Sequence, residues 1–281
     1  MLRNVYLQVS AIWVIVMSPK NSALQKARQS AGMKGPHPGF TPWVKQEHYI
    51  QPTVREIDFP VEWLPENVIA CGPITLPYQP LRDCEPALMI WLGQVGRRTI
   101  LINLGSHLTT QGDDAAELAC ALASILDCHR DLQVLWKNRS EDRSTLDKTL
   151  QVHLKSDRVR ITSWLESDPI AILHSGHIAL MIHHGGANSF FETIEAGVPA
   201  VVLPGWYDCY QYAALAEYLG TGIWASKTSA PHNSAAEIQP AIEKALGDEY
   251  RSRARDIGDV ARKGGGRETA AKAILERIKD T

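Results

Sequence analysis

IALMIHHGGANSFFETIEAGVPAVVLPGWYD, running from Ile178 to Asp208, decides how this chain folds. It opens on a short apolar run, Ile178 to His183, and breaks at the glycine pair Gly185-Gly186. Apolar residues then recur at helical spacing over 189–196. A second apolar run, PAVVLP (199–204), follows Gly197-Val198, and helical spacing returns over 210–218. Short apolar runs alternating with helices are βαβ units, and strands this uniformly apolar are covered on both faces.

The same alternation extends outward. Upstream lie TILINL (99–104), a long apolar-periodic helix over 114–128, LQVLW (132–136) and RVRIT (158–162). Downstream, GIWA (222–225) closes the series, and helical patterns fill 235–246, 250–261 and 268–278. About six strands of this kind predict an α/β, Rossmann-like, doubly wound parallel sheet over 75–281. Residues 20 to about 80 are rich in proline and glycine, as in GPHPGFTP (35–42) and CGPITLPYQP (71–80), and read as loop and connector. The apolar stretch from Val5 to Met17 is shorter than the ~20 residues that span a bilayer, and Gln8 and Ser10 interrupt it, so a buried strand or helix is expected there.

Composition narrows the function. The chain has 281 residues, 44% hydrophobic and 21% charged, with a net charge of -2. That balance suits a globular core and offers no basic field for nucleic acid. Five scattered cysteines, none in a CxxC pair, imply neither a disulfide framework nor a zinc site, and a cytoplasmic setting, with peripheral membrane association as its variant, is expected. The sequon Asn138-Arg139-Ser140 reads as chance. His174, His177, His183 and His184 lack accompanying Cys or carboxylate at ligand spacing, so no metal is expected.

Polar residues gather where strands end, and in open α/β sheets ligands bind outside the carboxyl ends of the strands. Gly105-Ser106-His107 follows the first run, Ser163-Trp164 follows RVRIT, His184 to Ser189 follows the fourth, and Gly205 to Asp208 the fifth. A strand, a glycine pair and a helix start present unpaired backbone N–H groups to a phosphate. Ser189 and Glu192 stand at capping-box spacing, which fits closure of the helix end as well as it fits ligand binding. His183 reads as a core histidine hydrogen-bonded to a neighbouring strand. Asp208 fits either a carboxylate for sugar hydroxyls or a turn before the next helix.

Over 164–224 the sequence resembles the nucleotide-sugar signature of the UDP-glycosyltransferase superfamily, whose fold is GT-B. The match is densest in HGGANSFFETIEAGVPAVVLPGWYD (His184–Asp208), which is similar to H-x-G-x-N-S-x-x-E…G-V-P…P-x-W-x-D. NLGS (103–106), NVIACGPI (67–74) and GGGRETAAKAILE (264–276) are similar to the family's phosphate-contacting strand end, inter-domain element and terminal helix. WYDCYQYA…LGTGIW looks most like fungal or bacterial members acting on small lipophilic acceptors.

The resemblance implies a UDP-sugar donor, an inverting transfer of a hexose, and no metal. It implies that Trp164 stacks on uracil, that Ser106, His184, Gly186, Asn188 and Ser189 hold the diphosphate, and that Gly105 belongs to the UDP-sugar site. Glu192 would bind ribose and Asp208 the hexose. Three departures stand out: Cys209 replaces the family's Gln, Ala187 replaces the Trp of plant members, and LESDP after Trp164 lacks the usual Pro-Gln. Residues 1–74 read as the remnant of an amino-terminal acceptor domain plus linker, and no catalytic base is assigned. The expectation is a donor-binding half completed by an amino-terminal domain, on a separate chain or lost by truncation. Its rival is a non-catalytic half-protein that keeps the donor pocket. A UDP-sugar epimerase would read similarly, whereas LGSHLTTQG in place of GxGxxG argues against a nicotinamide enzyme.

Overall fold

The computed structural model describes Trp13 and residues 19–35, 48–105 and 112–279. Residues 1–18 (apart from Trp13), 36–47, 106–111 and 280–281 lie outside the described residues, and with them the readings of the apolar stretch from Val5 to Met17 and of Ser106 and His107. The chain forms two compact units, Met1–Tyr49 and Ile50–Thr281. The first contains helix α1 (Pro19–Ser30). That helix corrects the loop reading of 20–80. Pro19 sits at its first residue, where the missing N–H costs nothing, and ALQKARQ is made of good helix formers.

The second unit starts within β1 (Tyr49–Gln51), which makes a two-stranded sheet with β2 (Val68–Ala70). Helices α2 (Leu81–Cys84) and α3 (Pro86–Leu92) lead into the main sheet. Its strands are β3 (Arg98–Asn103), β4 (Leu132–Lys137), β5 (Val159–Thr162), β6 (Ile178–His183), β7 (Ala200–Val202) and β8 (Gly222–Trp224). All pairings are parallel, in the order β5-β4-β3-β6-β7-β8. Counted from β3, this is the 3-2-1-4-5-6 order of a doubly wound fold. The order reverses between β3 and β6, and the crevice that accepts ligands opens at such a switch point.

Helices cover both faces. On one, α4 (Gly112–Cys128), α5 (Ser144–Thr149) and α10 (Ala235–Ala245) pack on Ile100, Ile102, Trp136, Leu180 and Ile182. On the other, α3 and α7 (Pro169–Leu173) pack on Leu101, Leu135 and Met181. There too α8 (Ala187–Ala196), α9 (Cys209–Leu219) and α11 (Asp248–Lys263) gather on Ala200 and Val202. Adjacent residues of β3 thus feed opposite cores, as period-two alternation requires. The remaining helices are α6 (Gln151–Lys155) and α12 (Gly266–Lys279). Residues 50–74 pack into this unit: Ile57 joins the cluster of Phe190 and Ile194, and the Gly266 N–H donates to the Cys71 carbonyl at 2.7 Å. No helix among the described residues is long and apolar enough to cross a membrane.

Candidate functional site

The switch point brings together segments far apart in sequence. Asn103, at the end of β3, pairs in register with His183, at the end of β6, and His183 pairs with Val202 of β7. One residue beyond β6, the His184 ring lies against two glycines: a β-carbon at Gly105 would stand 2.7 Å from His184 Cε1, and one at Gly186 would stand 2.4 Å from Nε2. Side chains at either position would evict the imidazole. His184 is therefore held at the mouth of the crevice by backbone on both sides.

The turn between β6 and α8 is built from the histidine before it. His183 is fully buried, and its Nδ1 accepts the Gly185 N–H at 3.0 Å. Burial, with His184 adjacent, pushes its pKa down to about 3, so the ring is neutral. The bond is made to its own turn, which corrects the expectation of a partner on a neighbouring strand. Gly185 has φ 82, and a β-carbon there would meet the Cys209 carbonyl oxygen at 2.6 Å. The loop carrying Asp208 thus closes directly on the glycine pair.

Helix α8 begins without a side-chain cap. Gly186 is its N-cap, and the first intrahelical bond runs from the Phe190 N–H to the Gly186 carbonyl at 3.0 Å. Ser189 therefore lies inside the first turn, where its carbonyl accepts from Thr193 Oγ1 at 2.5 Å. The capping-box reading of Ser189 and Glu192 is overturned: the N-cap falls three residues earlier, on a glycine with no side chain to give. The amides of Ala187, Asn188 and Ser189 have no partner inside the helix, and the dipole adds partial positive charge there. Asn188 and Glu192, four apart, share one face of α8. Burial first, then Asp168 and Glu195, pushes the Glu192 carboxyl up to about 7.

Trp164 stands on the loop after β5 with 59% of its surface exposed. The Lys137 ammonium sits 4.5 Å from its ring centroid and 3.5 Å from the Gly105 carbonyl oxygen, tying the edge of the sheet to its switch point. Burial, with Arg139 nearby, pulls that ammonium below the usual lysine range, so countercharge here would be welcome. Sequence reading missed Lys137, although it ends LQVLWK and so occupies the strand-end position inspected elsewhere. Asp208 is exposed at the N-cap of α9 and makes no capping bond with its side chain. Tyr207 before it takes a left-handed φ of 38, uncommon for a bulky residue. Cys209 turns inward and is buried, so the position after Asp208 offers nothing to the crevice. Asn138 is also buried, with its Oδ1 accepting the Ser140 N–H at 2.7 Å, which leaves no room for a glycan.

A cleft of about 510 Å³ between Pro73–Pro80 and the start of α12 is lined by none of these residues.

The family model of the erythromycin biosynthesis protein CIII-like C-terminal domain matches residues 145–262. Glycosyltransferase sdnJ of Sordaria araneosa is 40% identical over 216 residues, which cover 74% of this chain and 42% of that protein. The 2-hydroxyacylsphingosine 1-beta-galactosyltransferase of Rattus norvegicus is 27% identical over 210 residues, covering 73% of this chain and 34% of that one. The chain spans less than half the length of these curated relatives. Among solved structures, the glycotransferase of kitacinnamycin superposes with a TM-score of 0.66 at 16% identity, covering 97% of this chain and 66% of its own. A UDP-glucose: anthocyanidin 3-O-glucosyltransferase in complex with UDP gives 0.62 at 17%, covering 83% and 53%. At such identities the likeness speaks to the fold.

Proposed function

We propose that this chain belongs, through its carboxyl-terminal domain, to the UDP-glycosyltransferase superfamily, that it binds a UDP-activated hexose at the β3–β6 switch point, and that it presents the sugar for transfer to a small lipophilic hydroxyl acceptor. The observation that carries the reading is the uncapped amino end of α8 facing a histidine wedged between Gly105 and Gly186. Amides of residues 187–189 take the diphosphate, with His184 beside it. His184 offers a donor to the β-phosphate as it departs with negative charge, the step that most needs electrostatic help. Lys137 supplies a cation on the other side, so charge is met without a metal.

Trp164 stacks on the uracil with one ring face, the other being covered by Lys137. Glu192 accepts from ribose hydroxyls, and Asp208, its carboxylate unused by the helix it caps, accepts from the hexose. With Cys209 turned inward, the hexose lacks the second side chain that follows the Asp in relatives, which points to a looser grip on sugar identity. Transfer itself needs a general base and an acceptor pocket, which an amino-terminal domain would supply. The exposed apolar side chains of α12, Ile274, Leu275 and Ile278, offer that domain a surface.

Titration of UDP into the purified chain tests the proposal. Saturable binding with a Kd below about 1 mM is expected, weakened about tenfold or more by Asn188→Ala and by Glu192→Ala. A folded protein that takes up no UDP at millimolar concentration sinks it.

A further inference from the structure

At the opposite edge of the sheet, where β3, β6 and β7 begin, the surface closes into a second cleft of about 300 Å³. Its polar walls come from three separate parts of the chain. Arg97 and Arg98 stand at the start of β3, His177 immediately precedes β6, and Arg251 and Arg255 project from α11. No aspartate or glutamate lines it.

The partners of these arginines do not account for their convergence. Arg98 gives its Nε to Asp131 at 2.7 Å, and Arg251 reaches Asp248 at 3.2 Å, both carboxylates outside the lining. Asp157, the acid whose charge Arg97 feels, is already held by both nitrogens of the Arg160 fork at 2.9 Å. One terminal nitrogen of Arg97 is shut off from solvent and finds no hydrogen-bond partner among the described residues. A buried N–H donor of a cation left so costs stability unless a ligand or water supplies the acceptor.

Like charges crowded into one concavity repel, and low-dielectric walls sharpen the field. Guanidinium forks, unlike lysine ammoniums, match the planar and tetrahedral oxygens of carboxylate and phosphate two at a time. The volume suits a compact ligand rather than a nucleotide sugar, since it sits at the low end of small-molecule sites. We infer that this cleft, on the far side of the sheet from the donor crevice, is a second binding site for a small multiply charged oxyanion of the phosphate or pyrophosphate class. The inference does not rest on the donor reading.

Calorimetric titration of the full chain with inorganic pyrophosphate, with and without saturating UDP, tests it. A saturable event with a Kd below about 1 mM is expected in both conditions, and it persists in Asn188→Ala. The pair Arg97→Gln/Arg255→Gln weakens it about tenfold or more while circular dichroism stays unchanged. Arg255 is exposed, so Arg255→Gln alone serves if the pair fails to fold, with a loss of about threefold expected. The site is refuted if no saturable pyrophosphate binding occurs in the presence of UDP. It is equally refuted if binding vanishes in Asn188→Ala but ignores the arginine changes, because the donor crevice is then the one site. Should UDP fail to bind at all, the arginine variants still decide this question separately.

Discussion

Glu192 carries a carboxyl displaced from the glutamate value of 4.5 to about 7, and the sign of that displacement has a consequence for stability. The folded protein holds this proton more tightly than the unfolded chain does. The contribution to stability is therefore complete below pH 4.5 and is lost as pH rises through about 7. His183 runs the other way: its value falls from 6.5 to about 3, so its contribution is present above 6.5 and lost as pH drops through about 3. The two slopes oppose each other where they overlap, and a wild-type profile blurs both. Urea unfolding of wild type and Glu192→Gln at about pH 5 and about pH 7.5 separates them: the wild type should lose stability relative to the variant on going to the higher pH. A difference that is flat with pH would remove the buried-carboxyl account. Gly185 gives a second prediction at this scale. With φ 82 and the Cys209 carbonyl 2.6 Å from any β-carbon, Gly185→Ala should cost about 2–4 kcal/mol, read from the denaturation midpoint, and should weaken UDP binding with it.

Among the elements, α11 packs backbone-close to α8 at Gly258. A β-carbon there would lie 2.9 Å from the Ile194 carbonyl oxygen and 3.0 Å from Gly197 Cα. In an exposed helix interior, glycine to alanine gains about 1 kcal/mol. Here the partner is backbone and cannot swing aside, so Gly258→Ala should instead destabilise by about 1–3 kcal/mol. Ser252→Ala, exposed on the same helix, is the control and should change stability by less than about 0.5 kcal/mol. Elements differed in how far they could be read in advance. The strands and the long helices follow from apolar runs and periodicity, and the 114–128 reading lies within α4 as observed. Helices α5, α6 and α7 are too short for a period to emerge. Sequence spacing sets the start of α8 two residues late because Ser189 and Glu192 mimic a capping box that Gly186 makes unnecessary.

Taken whole, the second unit begins at Ile50, and residues 50–74 are part of its packing. A chain begun at Ile50 should unfold as one cooperative unit. A chain begun at Thr75 removes Ile57 from its cluster and the Cys71 carbonyl from Gly266, and should lose about 3 kcal/mol or more in chemical denaturation. Equal stability of the two would mean that the linker only rests on the domain.

Apolar runs of strand length, glycines at the turns and a dense polar signature fixed the class of fold and the neighbourhood of the crevice, because side-chain periodicity and turn chemistry are local properties written residue by residue. Strand order and every contact that crosses it belong to the tertiary structure. The seating of His184 against Gly105, the bridge from Lys137 to Trp164, the inward turn of Cys209 and the meeting of four arginines beneath the sheet join positions tens of residues apart. Which of two equally spaced polar groups faces a ligand and which is consumed by the fold depends on what packs opposite, and that is decided only when the sheet is assembled.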